Sequence, residues 1–166
     1  MPNHVTNKIT FSGDIDLLNK ILDEVKGHNG AIDFNSLIPR PLSVYLGNTC
    51  MTDDEDFGQH TWLEWNRANW GTKWNAYECK AEVSNGKAEL SFDTAWSVPY
   101  PFIIAFANKY GLDFTHKYFD EGHNFWGVEE WSDGTRVKRN KSSEDIRREL
   151  HLELKGWDYE ADEEPA

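Results

Sequence analysis

The chain is poor in cysteine: Cys50 and Cys79 are the only two among 166 residues. Their separation suits neither a zinc site nor a redox CxxC pair, so a disulfide-dense scaffold is excluded and reduced thiols are expected. Long apolar runs are missing too. No stretch approaches the roughly 20 residues that a bilayer-spanning helix needs. The opening Met-Pro-Asn-His lacks the basic and then apolar segments of a secretory signal. Together these absences predict a cytoplasmic protein of whatever cell makes it, with no membrane contact. Positive charge is scarce: Lys and Arg number 17 against 29 Asp and Glu, a formal net charge of −12. Such a field repels phosphate backbones, so direct binding to bare DNA is not expected. The partner it suits is a basic protein, including one that itself holds nucleic acid.

Motifs that would carry chemistry are equally sparse. The histidines are His4, His28, His60, His116, His123 and His151. None shows the HxH or HxxxH spacing of a local metal site, so no metal is expected. His116 and His123 flank a turn and could converge, but two imidazoles do not make a site. Gly27-His28-Asn29-Gly30 is too short for a phosphate loop and ends a helix rather than opening one, so no cofactor is expected. Asp120 and Glu121 lie beside Gly122 and His123 and, with Asp93, could be read as a general acid and base. Solvated loop charges explain them as well, and no catalytic residue is assigned.

Aromatic rings are what the chain has in abundance: Trp 8, Phe 9 and Tyr 6. Trp and Tyr want an apolar wall and a hydrogen-bond partner together, which suits either a ring-built core or a half-buried contact surface. The rings fall into a readable order of elements. Val5, Asn7, Ile9 and Phe11 alternate with Thr6, Lys8 and Thr10, the period of a half-buried strand. Asp14 caps a helix carrying Ile15, Leu18, Ile21, Leu22 and Val25 on one side, and Gly27 ends it. Ile32 to Asn35 reads as a short extended piece. Residues 33–75 read as an insertion holding one helix, Thr61 to Trp70. Ala76 to Ser84 and the stretch of Ala88, Leu90 and Phe92 form a hairpin across Asn85-Gly86. A helix at Phe102 to Lys109, a strand at Leu112 to Tyr118, and a further hairpin, Phe125 to Trp131 with Thr135 to Lys138, follow. Ser143 can cap a last helix whose stripe is Ile146, Leu150 and Leu154.

Strand, helix, strand, strand, helix, strand is the split βαβ order. The fold class is therefore α+β, ferredoxin-like. It has a four-stranded antiparallel sheet with two helices on one face, a helical insertion, an extra hairpin and a C-terminal helix. Residues 1–157 make one domain, and 158–166 an acidic flexible tail.

Five blocks in this order resemble the YubB-like, Api92-like proteins. They are Met-Pro-Asn-His-Val-Thr-Asn-Lys-Ile-Thr-Phe-Ser-Gly at the start, Phe34-Asn35-Ser36-Leu37-Ile38-Pro39, Trp70-Gly71-Thr72-Lys73-Trp74-Asn75, Phe92-Asp93-Thr94-Ala95-Trp96-Ser97 and Tyr118-Phe119-Asp120-Glu121-Gly122. The resemblance spans roughly residues 1–127 and leaves the C-terminal helix and tail outside. It implies a ferredoxin-like domain and a setting on plasmids, phages and other mobile elements, and it implies no reaction.

Two surfaces are candidate binding sites. The first is aromatic: Trp70, Lys73, Trp74, Asn75, Asp93, Thr94 and Trp96, with Tyr118 and Glu121. A hairpin brings Trp74 and Asp93 to the same end of the sheet, giving an aromatic floor with one amine and one carboxylate. It could stack a planar, nucleotide-like ligand; alternatively Lys73 and Asp93 pair to seal a Trp-rich core. The second is acidic: Asp53, Asp54, Glu55 and Asp56, and the row Asp145, Glu149 and Glu153 along the last helix. A basic cluster, Arg136, Lys138, Arg139 and Lys141, lies near Trp126 and Trp131, which could stack bases of a single strand. Its neighbours Glu129, Glu130, Asp133, Glu144 and Asp145 make charge balance the simpler reading. The leading functional expectation is a phage or mobile-element protein that inhibits a host nucleic-acid-handling defence protein by acidic occlusion. A small-molecule binder or enzyme, and a single-strand binder, are the alternatives.

Overall fold

The computed structural model describes residues 2–44 and 61–161. Asp53 to Asp56 and the end of the tail lie outside the described residues. One six-stranded antiparallel sheet organises the chain. Its strands are β1 (His4–Ser12), β2 (Tyr77–Ser84), β3 (Lys87–Ala95), β4 (Phe114–Asp120), β5 (Trp126–Ser132) and β6 (Thr135–Lys141), in the order β2-β3-β1-β4-β5-β6. The order β2-β3-β1-β4 is that of the split βαβ arrangement. The extra hairpin, β5–β6, pairs with β4 and so extends the four-stranded sheet to six strands.

Four α-helices lie among the described residues: α1 (Ile15–Val25), α2 (Trp62–Asn69), α3 (Tyr100–Tyr110) and α4 (Glu144–Lys155). Alternation in the strands decides what each covers. Ile9 and Phe11, Leu90 and Phe92, Phe114 and Trp131 point to one face. There they share a core with Leu18, Ile21 and Val25 of α1 and Phe102, Ile103, Phe106 and Ala107 of α3. The opposite face offers Phe119 and Trp126, on which α4 docks Leu150, flanked by Ile146 and Leu154. Trp126 and Trp131 are 5% and 6% exposed, so neither is the base-stacking platform considered from the sequence.

Local signals act where the chemistry requires. Asn85 and Gly86 take φ of 52° and 72°, the two positive values of a tight hairpin turn. Asp14 accepts the Leu17 N–H, and Thr61 caps α2 by accepting from Glu64. Two local expectations need correction. Ile32 to Asn35 is not extended: Asp33 caps a 3-10 turn, Phe34–Ser36, which drops Phe34 into the core against Phe92, Phe102 and Trp70. Ser143 occupies the N-cap of α4 but its hydroxyl caps nothing; its carbonyl instead accepts the Trp126 indole N–H at 2.8 Å. No helix among the described residues is long and apolar enough to cross a membrane.

Candidate functional site

The aromatic group divides into three. Trp70, 1% exposed, is core, and its N–H donates to the Ile38 carbonyl. Asn75 is a structural clamp that accepts from Phe34 N and donates to Asp33. Lys73, Trp74 and Trp96 do come together: the Lys73 ammonium lies 4.8 Å from both indole centroids. Both rings remain partly exposed, at 38% and 46%. Lys73 does not pair with Asp93. The Asp93 carboxylate accepts from the Thr6 hydroxyl at 2.8 Å, on the sheet face that α4 covers, and Thr6 in turn accepts from Lys155. Burial pushes the Asp93 carboxyl up despite that hydrogen bond and the Lys155 charge. Lys155 is held below its ordinary value by burial, and Tyr77, opposite Asp93 in the β2–β3 register, is pushed up to about 12 by burial and the Asp93 and Glu121 charges. Glu121 accepts the His4 amide, and Asp120 ties the turn by accepting from Asn124. These carboxylates hold backbone and turns.

The acidic row on α4 is split as well. Glu153 binds Lys117 at 2.9 Å and Lys8 at 3.6 Å across the sheet. Asp145 and Glu149 stay exposed, and among the described residues no ion pair reaches them. Arg148, on the same outer side, is taken by Asp158 and Glu160. Asp158 to Glu160, placed by the sequence in the free tail, are therefore anchored, and Tyr159 packs on His123 and His151. Leu152 and Trp157 are exposed at 48% and 55% beside these acids. Trp157 is fixed, because His151 packs against its ring and hydrogen-bonds its carbonyl.

His116 and His123 do not converge; His116 is buried on the helical face, while His123 stacks on His151 with ring centroids 5.1 Å apart. Among the described residues no group of three or more His, Cys, Asp or Glu side chains could hold a metal. His116 belongs instead to a buried polar chain that the sequence reading missed. Asn7 donates to the Val5 carbonyl and to Thr94, which fixes its amide and leaves its oxygen to accept from His116 Nε2 at 3.0 Å. Neutral His116 then turns its Nδ1 lone pair toward Glu129 Oε2, 3.6 Å away and too far for an ordinary hydrogen bond. Both atoms are buried without a hydrogen-bond partner. The other Glu129 oxygen accepts from the Tyr100 hydroxyl at 2.6 Å and from Arg136 at 3.1 Å, with Arg139 at 3.5 Å. Burial would raise the Glu129 carboxyl, but the Tyr100 hydrogen bond and the Arg136 charge hold it below the usual range. Burial holds His116 down, and burial with the Glu129 hydrogen bond drives Tyr100 far up.

This chain of groups ends under a cleft of about 440 Å³ lined by Trp96, Tyr100, Tyr118, Phe125, Arg139 and Lys141, with Ser97, Asn124 and Ser142 among its polar groups. The Tyr118 hydroxyl is 3.5 Å from that of Tyr100. A signal for it was present in the strand alternation: Asn7, His116 and Glu129 occupy inward positions that otherwise carry apolar side chains.

A family model described as the ferredoxin-like domain in Api92-like protein matches residues 73–164. The chain belongs to this family. The Api92-like match takes in α4 and most of the acidic tail, correcting the expectation that the resemblance stops near residue 127. It also contains every residue that lines the cleft. The crystal structure of a protein api92 from Yersinia pseudotuberculosis is similar at a TM-score of 0.50 and 14% identity. That similarity concerns the fold alone. It covers 65% of this chain and 38% of the Yersinia protein, so the chain matches well under half of that protein's length. No curated protein matches the chain.

Proposed function

We propose that this Api92-like chain is a non-enzymatic protein-binding module whose outer α4 face, with Trp157, docks a basic protein. The observation that carries the reading is the exposure of Leu152 on the side of α4 that bears Asp145 and Glu149, and of Trp157 just past the end of the helix. Helical spacing puts Asp145 and Glu149, seven and three residues before Leu152, on the same side of the helix as it. An exposed Trp fixed by His151 and an exposed Leu, on a mainly acidic surface, have the make-up of an interface hot spot. The Arg148 charge is already met by Asp158 and Glu160, so the rim faces a partner as an acidic one. The chain's net charge of −12 adds long-range attraction for a cationic surface. The setting on mobile elements makes a host nucleic-acid-handling defence protein the target class, inhibited by covering the cations that hold its nucleic acid.

The test is a pull-down from host lysate across a salt series, followed by association kinetics on the purified pair. Asp145→Asn with Glu149→Gln should slow association and flatten its salt dependence, while Leu152→Ala with Trp157→Ala should speed dissociation. A partner held as fast and as long by both double variants as by the parent chain would remove this face from the account.

A further inference from the structure

Cations are outnumbered in this chain, yet the cleft between Trp96 and β6 is lined by Arg139 and Lys141 and by no carboxylate. Lys73 adds a third positive charge against the Trp96 ring. Glu129, the nearest acid in the chain of groups below, is fully buried under the Tyr100 hydroxyl and shared with Arg136. Its one carboxylate is shared between Arg136 and Arg139, so the two arginines keep a net positive charge, and it offers no oxygen to the cleft. Lys141 is exposed on an edge strand, and among the described residues no ion pair reaches it. Trp96 sits at φ 69°, a backbone conformation that non-glycine residues rarely adopt, and its half-exposed ring lines the cleft.

We infer that this cleft binds a nucleoside monophosphate, with the base stacked on Trp96 and Phe125 beside it, and the phosphate held by Arg139 and Lys141. An aromatic wall with adjacent cations is the chemistry that recognises a planar ring bearing a compact anion. Ser97, Asn124 and Ser142 supply hydroxyl and amide groups for the sugar and the base edge. The volume fits one small ligand, at the lower end of the about 300–1,000 Å³ common for such sites. The chain's overall negative field disfavours a long polyanionic strand but tolerates a single phosphate matched by local cations. Because the cleft and the outer face of α4 share no residue, this inference stands or falls independently of the protein-binding proposal.

Calorimetric titration of the full chain with AMP, GMP, CMP and UMP tests it, with adenosine, inorganic phosphate and an oligothymidylate as comparisons. At least one monophosphate should saturate the protein, and adenosine and phosphate should each bind about tenfold more weakly or worse. Lys141→Glu should weaken that monophosphate about tenfold, and Trp96→Ala by a similar factor, with circular dichroism unchanged. Lys141→Gln, a milder change on the same exposed side chain, serves if either variant fails to fold. No saturable binding of any of the four up to about 5 mM would overturn the inference. Unaltered affinity in the variants, or tighter binding of the oligothymidylate than of every monophosphate, would overturn it equally.

Discussion

Glu129 shows how much one side chain can be asked to do. It is fully buried, yet one oxygen meets Tyr100, Arg136 and Arg139 while the other faces an imidazole lone pair. Replacing it by Ala removes the Tyr100 hydrogen bond and the partner of Arg136 and Arg139 and leaves a void in the interior, so Glu129→Ala should cost at least about 2 kcal/mol in chemical denaturation. Glu129→Gln behaves differently. Its amide can donate to His116 Nδ1 while its oxygen still accepts from Tyr100 and Arg136, so it relieves the opposed acceptors as it loses the charge. The expected result is a Gln variant clearly more stable than the Ala variant. Equal losses would mean that the carboxylate's charge, rather than its hydrogen-bonding pattern, holds the site. His116 and Glu129 also mark where sequence reading stopped. Each stands at an inward strand position in plain view, but only the β4–β5 register, His116 opposite Glu129, makes them neighbours.

At the scale of elements, α4 has two faces with separate tasks. Leu150 is 3% exposed and packs on Phe119 and Trp126, so Leu150→Ala should cost about 2–5 kcal/mol by loss of packing and the cavity left behind. Leu152, two residues on, is half exposed; Leu152→Ala should change stability by no more than about 0.5 kcal/mol. Thermal melts of the two variants check this, and a Leu150→Ala melt matching the parent chain would mean that α4 is not docked. The amphipathic stripe of α4 was legible in the sequence because helical periodicity alone reveals it. The anchoring of Asp158 to Glu160 was not, because it needs Arg148 and the His123–His151 stack to be in place first. Strand β6 tells the same story. Its basic residues were correctly suspected of balancing nearby acids, since Arg136 and Arg139 meet Glu129. The same cations protect an exposed sheet edge from pairing with other chains.

For the whole molecule, acid should be more damaging than its count of histidines suggests. His116, His123 and His151 are all held below the ordinary 6.5, by burial first and, at His123, next by the Arg147 charge. Arg147 also donates to His123 Nδ1, which a proton on that nitrogen would break. The unfolded chain therefore binds protons at these sites before the folded chain does. Stability is then full above about pH 6.5 and falls as the pH drops through the window below it. Glu129, also held low, extends the loss below its ordinary 4.5. Melting temperatures taken between about pH 7.5 and pH 5 should fall steadily. A flat profile over that range would show that these imidazoles protonate as freely in the fold as in water.

The sequence by itself determined what depends on neighbours along the chain. The alternation of β1, the Asn85-Gly86 turn, the stripes of α1 and α4, the split βαβ order and the acidic balance all follow from local pattern, steric allowance and composition. Tertiary structure decided what depends on which strands lie side by side. It placed the β5–β6 hairpin on the edge of β4 and so extended the four-stranded sheet to six strands. It sent Asp93 to Thr6 instead of Lys73, because residues alternate across the sheet and Asp93 falls on the face that α4 covers. It also gathered Trp96, Tyr100, Arg139 and Lys141, which lie far apart in the chain, around one cleft. The physical reason is common to all three: periodicity assigns a side chain to a face, but only the pairing register assigns it a neighbour.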